Sequence, residues 1–274
     1  MPDGRLVFAG AVLGLAAAAA LAAPLLAPHD PLDQDLLASL LPPLGFAGAD
    51  PLYPLGTDSL GRDVLSRLVF GARAALTVAL VAATLAALLG TILGLLAGWL
   101  GGWVDELISR LVEIWMSFPP VLLSIVLVAV IGAGLHAVVI AIVVIDWTRF
   151  CRVVRAEVQA QNARDYVLAA RMLGLGRWRT LWSEILPNLA PLLLVLLTLE
   201  MGIAVIVEAI LSFVGLSVAS DAPTWGGLIA EGRAVVYQAP WLMALPMLCI
   251  VALVLAFNLL GDGLKDRFDP VLRR

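Results

Sequence analysis

Two glutamates inside a long apolar stretch are the residues with the clearest chemical potential. Glu200 and Glu208 interrupt the run 189–214, which is otherwise almost wholly apolar. A charge inside a membrane span is costly and usually functional. Eight residues apart on a helix, the two carboxylates fall on roughly neighbouring faces. They could line a polar passage and contact an amino group or a cation. Alternatively, each carboxylate hydrogen-bonds to a neighbouring helix or to a partner chain.

The sequence offers little for other kinds of chemistry. Lys265 is the one lysine, and no glycine-rich loop ends in Gly-Lys-Ser/Thr, so the chain cannot hold nucleotide phosphates as a P-loop ATPase does. His29 and His136 are too few and too far apart for a metal or general-base site. Cys151 and Cys249 lie in or beside apolar runs and predict no disulfide. We therefore expect no enzymatic activity, no cofactor or metal site and no nucleic-acid partner.

The composition indicates an integral membrane protein. Hydrophobic residues make up 62% of the chain, charged residues 14%, and the mean hydropathy is +1.01. Soluble globular proteins carry about a quarter charged residues. Several apolar runs approach or exceed the roughly 20 residues that a helix needs to cross a bilayer. The expected fold class is therefore all-α and polytopic.

Six spans are predicted, with boundaries near 6–27, 74–98, 111–131, 135–150, 189–214 and 240–260. The first is interpreted as an uncleaved helix, although a cleaved signal peptide is the alternative. Gly90, Gly94 and Gly98 fall on one face of the second span and predict close helix packing. Pro119-Pro120 predicts a kink near the start of the third. Asp146 is expected to pair with Arg149 at i,i+3 spacing.

The distribution of basic residues predicts the orientation of these spans. One side receives thirteen Lys and Arg residues, among them the seven arginines from Arg149 to Arg179, and the other side receives four: Arg62, Arg67, Arg73 and Arg233. The positive-inside rule places the richer side, both termini included, in the cytoplasm. The segment 151–188 and the tail 261–274 are then cytoplasmic, and the loops 28–73 and 215–239 are extracytoplasmic. Asp30, Asp33 and Asp35 in the first of these loops are expected to be a solvated surface.

The segment 165–188 is polar enough to leave the membrane and patterned enough to fold. Apolar residues recur at helical spacing on both sides of a Gly174-Leu175-Gly176 break: Tyr166, Val167, Ala170 and Leu173 before it, and Trp178, Leu181, Trp182 and Ile185 after it. This pattern predicts two short amphipathic helices joined by a tight turn, with Pro187 stopping the second. Such a pair is suited to dock a soluble partner. The alternative is a pair lying flat on the bilayer, with Arg177 and Arg179 near lipid phosphates.

The order Ala169-Ala170, Gly174 and Leu186-Pro187 resembles the EAA loop of bacterial ABC-importer permeases. In that family the loop forms a coupling helix that sits in a cleft of the ATPase subunit. The resemblance implies ATPase contact through Tyr166, Ala169, Ala170, Gly174, Leu175, Gly176, Leu186 and Pro187. The chain departs from the family pattern at Leu168, where the name-giving Glu would stand, and at Glu184, where Ile is common. Gly174→Trp is expected to uncouple the complex, because the turn has no room for a large side chain.

Three further blocks resemble the C-type permease of dipeptide, oligopeptide and nickel importers. They are Pro54 to Arg73, the stretch from Glu208 to Gly226, and Ala256 to Pro270. Within the first block, Thr57 or Asp58 could cap a short surface helix through Val64 and Val69. Because the blocks are separated along the chain, their combination is more specific than any one of them.

The resemblance implies a type I ABC-importer permease with six spans in the bacterial cytoplasmic (inner) membrane. Its expected partners are a second permease, two ATPase subunits or domains that bind the ATP, an extracytoplasmic binding protein and the lipid membrane. The implied substrate is a di- or oligopeptide, with nickel or another small solute as the alternative. Two competing hypotheses are an ion-coupled secondary carrier that uses Glu200 or Glu208, and a purely structural membrane subunit.

Overall fold

The computed structural model describes residues 4–217 and 222–268, and within these residues the regular structure is helical apart from an isolated bridge between Thr57 and Asp63. The helices are α1 (Gly4–Leu21), α2 (Ala23–Leu26), α3 (Val64–Leu100), α4 (Gly102–Met116), α5 (Pro120–Ile131), α6 (Leu135–Asn162), α7 (Asp165–Met172), α8 (Arg177–Thr180), α9 (Leu186–Phe213), α10 (Trp225–Ala234) and α11 (Trp241–Phe268). A 3-10 turn (Leu36–Ala38) precedes α3, and a π turn (Leu181–Ile185) joins α8 to α9. The predicted all-α class is confirmed.

Four helical stretches of the described chain are long and apolar enough to cross a bilayer: 4–21, 64–100, 177–213 and 241–268. Helices α4 and α5 together would add a fifth. The predicted fourth span, 135–150, is the first part of α6, and the helix continues past it with Arg152 and Arg155. The six-span count therefore stays a prediction. Asp269-Pro270 lies outside the described residues.

Helix α3 runs without a break through what the sequence divides into a surface helix and a second span. It begins at Val64 and ends at Leu100, followed by Gly101 with a positive φ of 67°. Asp63 starts it, because the Asp63 carboxylate accepts a hydrogen bond of 2.9 Å from the Ser66 backbone N–H. The prediction of a separate surface helix is therefore wrong, and so is the prediction that Thr57 or Asp58 caps it. No proline stands between the two predicted pieces, and the single Gly71 is tolerated inside a helix, so the helix continues.

Helices α3 and α6 pack along the three predicted glycines. A Cβ added at Gly94 would lie 2.7 Å from the backbone oxygen of Cys151, and one at Gly98 would lie 2.8 Å from that of Arg155. Gly90 faces the Trp147 backbone in the same way. The predicted close packing is confirmed, because only hydrogen atoms separate the two backbones at these points.

Helices α4 and α5 meet at an angle of 89°, with the break at residues 117–119. Pro120 is the first residue of α5 and Pro119 precedes it in an extended conformation. A proline disfavours helical geometry in the residue before it and lacks the N–H that would continue the ladder. The predicted kink is confirmed, and it is sharp enough to divide the third predicted span into two helices.

Buried side chains on two neighbouring faces of α3 pack with most of the other helices, which makes α3 the central helix. One face, with Leu68 and Ala75, packs with α1, α9, α10 and α11. Another, with Val78 and Ala82, packs with α5, α6 and α9. Movement of α3 would consequently be felt by most of the bundle.

The residues before α3 fold back over one end of the bundle, and together with α10 they are termed the cap (28–63 and 225–234). The Asp58 carboxylate binds the guanidinium groups of Arg62 (2.7 Å) and Arg67, and it is 1% exposed. Glu231 of α10 binds the same two arginines, with 2.9 Å between its Oε2 and Nη2 of Arg62. Trp225 adds a hydrogen bond of 2.9 Å from its indole N–H to the Leu68 carbonyl of α3. The cap is thus fixed to α3 by charge pairs, of which the Asp58–Arg67 pair is buried.

Thr57 and Asp58 hold the cap loop rather than a helix. The Thr57 hydroxyl donates to the Ala38 carbonyl and accepts from the Leu41 N–H at 2.8 Å. The Asp58 Oδ1 accepts from the Leu60 and Arg62 backbone N–H groups at 2.8 and 3.0 Å. By contrast, Asp30, Asp33 and Asp35 are exposed, as predicted.

Candidate functional site

The predicted pair of short helices is present in the segment 165–188. Helix α7 ends in a Gly174 turn, and α8 begins at Arg177. The turn is a Schellman cap: the Leu175 N–H donates to the Ala170 carbonyl (3.1 Å) and the Gly174 N–H to the Arg171 carbonyl (3.0 Å). Gly174 has φ +85°, a conformation that a residue with a side chain adopts only with strain. The sequence break at Gly174-Leu175-Gly176 therefore fixes the shape of the turn.

The prediction that the turn has no room for a large side chain at Gly174 is wrong. A Cβ at Gly174 meets nothing within 4 Å, so the turn has open space around it. Backbone strain, and not a lack of room, is what excludes other residues from this position. A tryptophan at 174 would be disfavoured for that reason, and it would also project from the surface.

The second helix of the pair does not stop at Pro187. Residues 177–213 form one continuous helical stretch, in which α8 passes through the π turn into α9. Pro187 lies in the first turn of α9. Proline is tolerated there because the N–H groups of a first turn have no partner within that helix. The segment is therefore connected directly to a long apolar helix.

One face of the segment is buried against the bundle. Val167 is fully buried and Ala170 nearly so, and Val167 lies with Leu181 and Ile185 in a cluster that includes Trp99 of α3. The same cluster contains Val154 and Val158 of α6 and Leu189 of α9. The segment is consequently held by three long helices at once.

The opposite face exposes an apolar surface, here called the outer patch: Leu168, Met172 and Leu173. Met172 and Leu173 are 89% and 83% exposed. Leu168 and Met172 lie four residues apart, so they share one face of α7. Trp178 and Trp182 are also more than half exposed on the following helical stretch. Large apolar side chains exposed together mark surfaces that bind a partner.

The predicted coupling residues divide between the two faces. Ala169, Gly174, Gly176 and Pro187 are exposed, Leu175 and Leu186 are half-buried, and Ala170 is buried. The Tyr166 hydroxyl donates to Gln161 Oε1 at 2.9 Å. Sequence reasoning missed Leu168 and Met172, although their i,i+4 spacing was the available signal. It placed Leu173 at one helical spacing with Val167 and Ala170, and of these three residues Leu173 is exposed while the other two are buried.

Glu200 lies within the packing between α6 and α9. It is 1% exposed, and its Oε2 lies 3.4 Å from Nη1 of Arg149. The Arg149 Nε in turn lies 3.8 Å from an Asp146 carboxylate oxygen, so the predicted pair is confirmed. The second oxygen of Glu200 has no hydrogen-bond partner among the described residues. These three side chains tie the two helices together.

Glu208 is enclosed in a different way. It is 1% exposed, and its Oε1 accepts hydrogen bonds from the hydroxyls of Ser212 (2.5 Å) and Ser217 (3.1 Å). Both hydroxyls belong to its own helix or the residues just after it. The lining role assigned to Glu200 and Glu208 stays a prediction. In this conformation, both carboxylates are covered by the chain's own side chains.

The sequence matches a known family and several characterised relatives. Residues 90–274 match the family described as binding-protein-dependent transport system inner membrane component. The chain is 41% identical over 254 residues to the di/tripeptide transport system permease protein DppC of Pseudomonas aeruginosa, covering 93% of this chain and 84% of that protein. It is 38% identical to the dipeptide transport system permease protein DppC of Haemophilus influenzae (97% and 92% covered) and 43% identical to that of Escherichia coli K12 (91% and 83%).

The fold is similar to that of a solved transporter. An inward-facing structure of the MetNI methionine ABC transporter matches with a TM-score of 0.61 and 20% sequence identity, covering 73% of this chain and 95% of that one. At this identity the match is evidence of the shared fold alone.

Proposed function

Because the chain belongs to the family of binding-protein-dependent transport system inner membrane components, we propose that it is the permease subunit of an ATP-driven importer of di- or oligopeptides. The peptide substrate is supported by the relatives, which are named as dipeptide and di/tripeptide permeases and are matched over almost the whole chain. A second permease would complete the passage through the bacterial inner membrane, and an extracytoplasmic binding protein would deliver the peptide.

The proposed coupling role is supported above all by the outer patch. It is apolar, exposed and built on a helix whose other face is fixed to three long helices. We propose that an ATPase subunit covers Leu168, Met172 and Leu173. The apolar side chain at 168 fits this contact, because burying it against the ATPase needs no charged partner. Hydrolysis of ATP belongs to that subunit, since this sequence has no P-loop.

The proposed orientation places α7 and α8 in the cytoplasm and the cap outside. It is supported by the concentration of arginines from Arg149 to Arg179 at one end of the bundle. Closure of the ATPases on ATP binding would push on the coupling segment, and the packed cluster around Val167 would pass that movement to α3, α6 and α9. The passage would thereby switch between inward- and outward-facing states.

Purification of the complex tests this proposal. The tagged chain, extracted in mild detergent, should bring with it a second permease and one or two P-loop ATPases. Met172→Asp combined with Leu173→Asp should abolish recovery of the ATPases while the second permease is retained. Leu37→Asp is the matched control, because Leu37 is 98% exposed but lies in the cap. Equal ATPase recovery with the double variant and the wild type would overturn the docking site.

The substrate is tested separately in proteoliposomes that contain the complete complex and its binding protein. ATP-dependent uptake of a labelled dipeptide, unaffected by excess nickel, is the expected result. Nickel uptake without peptide uptake would overturn the peptide assignment but leave the coupling site intact.

A further inference from the structure

The C-terminal end of α3, here called the loop end, is held by two arginines of the coupling segment 165–188. Trp99, the second-last residue of α3, is 3% exposed. The guanidinium carbon of Arg171 lies 4.9 Å from the centre of the Trp99 ring, and that of Arg177 lies 5.7 Å from it. Both distances are within the range of a cation–π contact. Arg171 lies in the last turn of α7 and Arg177 begins α8, so they hold both sides of the Gly174 turn on the same indole.

Arg177 also binds the end of the α3 backbone. Its Nη2 donates to the Trp99 carbonyl at 2.6 Å and lies 3.4 Å from the Leu100 carbonyl. The last carbonyls of a helix have no partner within the helix, and a cation near them is favourable. Arg171 reaches sideways and donates to Asn162, the last residue of α6. The turn is thus fixed to the ends of α3 and α6 by side chains on its surface.

The other end of α3 is fixed just as directly. Arg67, in the first turn of that helix, binds Asp58 of the cap loop and Glu231 of α10. Thirty-two residues of unbroken helix separate Arg67 from Trp99, a span of about 48 Å at 1.5 Å per residue. The glycine face packed against α6 leaves little freedom to bend. One rigid helix therefore joins the coupling segment to the cap.

We infer that Trp99 and Arg177 are positioning residues that make α3 move with the coupling turn. The inference rests on the proposed function and specifies which helix receives the movement of the ATPases. When the turn shifts, the hydrogen bonds to the α3 carbonyls and the stacked indole carry α3 along. The cap at the far end follows, because Arg67 links it to the same helix.

The contacts of Arg171 and Arg177 with the end of α3 are separate from the contacts that fold the segment. Val167, Leu181 and Ile185 bury the inner face without help from either arginine. Arg171 and Arg177 are both exposed residues. Loss of Arg177 should therefore leave the segment folded and the outer patch available, while the tie to α3 is weakened.

The test uses the complete complex in proteoliposomes and measures peptide transported per ATP hydrolysed. Arg177→Ala should lower this ratio about tenfold, in the range of typical coupling energies between two sites. ATPase recovery during purification should be unchanged. Arg179→Ala is the matched control: it removes an equal charge two residues away, and the exposed Arg179 side chain makes no hydrogen bond, ion pair or ring contact among the described residues. Its ratio should equal that of the wild type.

A ratio for Arg177→Ala within twofold of the wild type would overturn the inference. If Arg177→Ala fails to assemble, Arg171→Gln removes the second stacked cation and is judged by the same two outcomes. Failure of the proposed function itself looks different: the wild-type chain would then recover no ATPase, and no ratio could be measured for any variant.

Discussion

The two ends of α3 are built in opposite ways. At the cap end, charged side chains are buried and paired, and Asp58 and Arg67 are 1% and 3% exposed. At the loop end, apolar side chains are exposed and the charged arginines lie on the surface, with Met172 of the outer patch 89% exposed. The cap end exposes apolar side chains too, with Leu37 98% exposed, but its charged side chains find their partners within this chain. At the loop end, the apolar side chains of the outer patch are exposed together, which is typical of a surface that binds a partner.

The two ends of α3 therefore differ in what substitutions should affect: stability at the cap end and partner binding at the loop end. A buried ion pair is costly to break because the remaining charge stays in a poorly solvated site. Exposed apolar side chains contribute little to the fold of the isolated chain and can be replaced without unfolding it. Substitutions at the cap should therefore lower stability, and substitutions at the outer patch should lower partner binding.

The largest effect is expected at Arg67. Arg67→Ala leaves the buried Asp58 carboxylate without one of its two arginine partners and should lower the free energy of unfolding by about 3–5 kcal/mol. The thermal unfolding midpoint of the purified chain in detergent measures this. Arg73→Ala, an exposed arginine of the same helix, is the control and should leave the midpoint unchanged. Equal midpoints for the two variants would show that the cap is not held by its charges.

A smaller loss is expected along the glycine face between the two ends. Gly94→Val places a side chain 2.7 Å from the backbone of α6 and should cost about 1–3 kcal/mol through overpacking. Gly14→Val in α1 meets nothing within 4 Å and serves as the control. The same unfolding experiment compares them. An undisturbed Gly94→Val variant would mean that α3 and α6 are not in close contact.

The turn at the loop end should respond to backbone strain and not to size. Gly174→Ala forces a Cβ into a left-handed conformation, at roughly 1–2 kcal/mol, whereas Gly174→Asn should be milder because asparagine tolerates that conformation. Cleavage by trypsin at Arg171 and Arg177 should be faster for the alanine variant than for the asparagine variant. Gly176→Ala, at φ −62° and in open space, should cleave at the wild-type rate. A faster rate for Gly176→Ala would place the strain elsewhere.

The smallest effect is expected for charges that are paired but exposed. Arg110 binds Glu106 and Glu113 at 2.9 Å each, and all three side chains are more than 60% exposed. Exposed ion pairs of this kind contribute little to stability. Arg110→Ala should leave the unfolding midpoint in detergent unchanged. A clear drop of the midpoint would mean that exposed ion pairs stabilise the fold as the buried pair of the cap does.

Local patterns in the sequence were sufficient for the turn and the close helix contact. Gly174 and Gly176 marked a break that became a Schellman cap, and Gly94 with its two neighbours marked the α3–α6 contact. In both cases the signal is a set of glycines that lie close together in the sequence. The resemblance to importer permeases also identified the family correctly, because its motifs are spread over most of the chain.

Features that depend on distant residues could not be predicted. The link from Arg67 to Glu231 joins positions 164 residues apart, and nothing in the local pattern indicates it. Nothing in the sequence around Trp99 predicts that two arginines from another segment stack on its indole. The continuation of the helix past Pro187 was hidden as well, because a π turn allows proline where the sequence suggests a stop.

Hydrogen–deuterium exchange of the chain with and without its ATPase subunits tests the central contrast most directly. The amides of 172–177 lie in an exposed turn beside the outer patch, and binding of an ATPase should slow their exchange. The amides of the cap loop, 28–63, should exchange equally in both samples. Slower exchange confined to the cap, with no change at 172–177, would contradict the account and move the docking surface to the other end of α3.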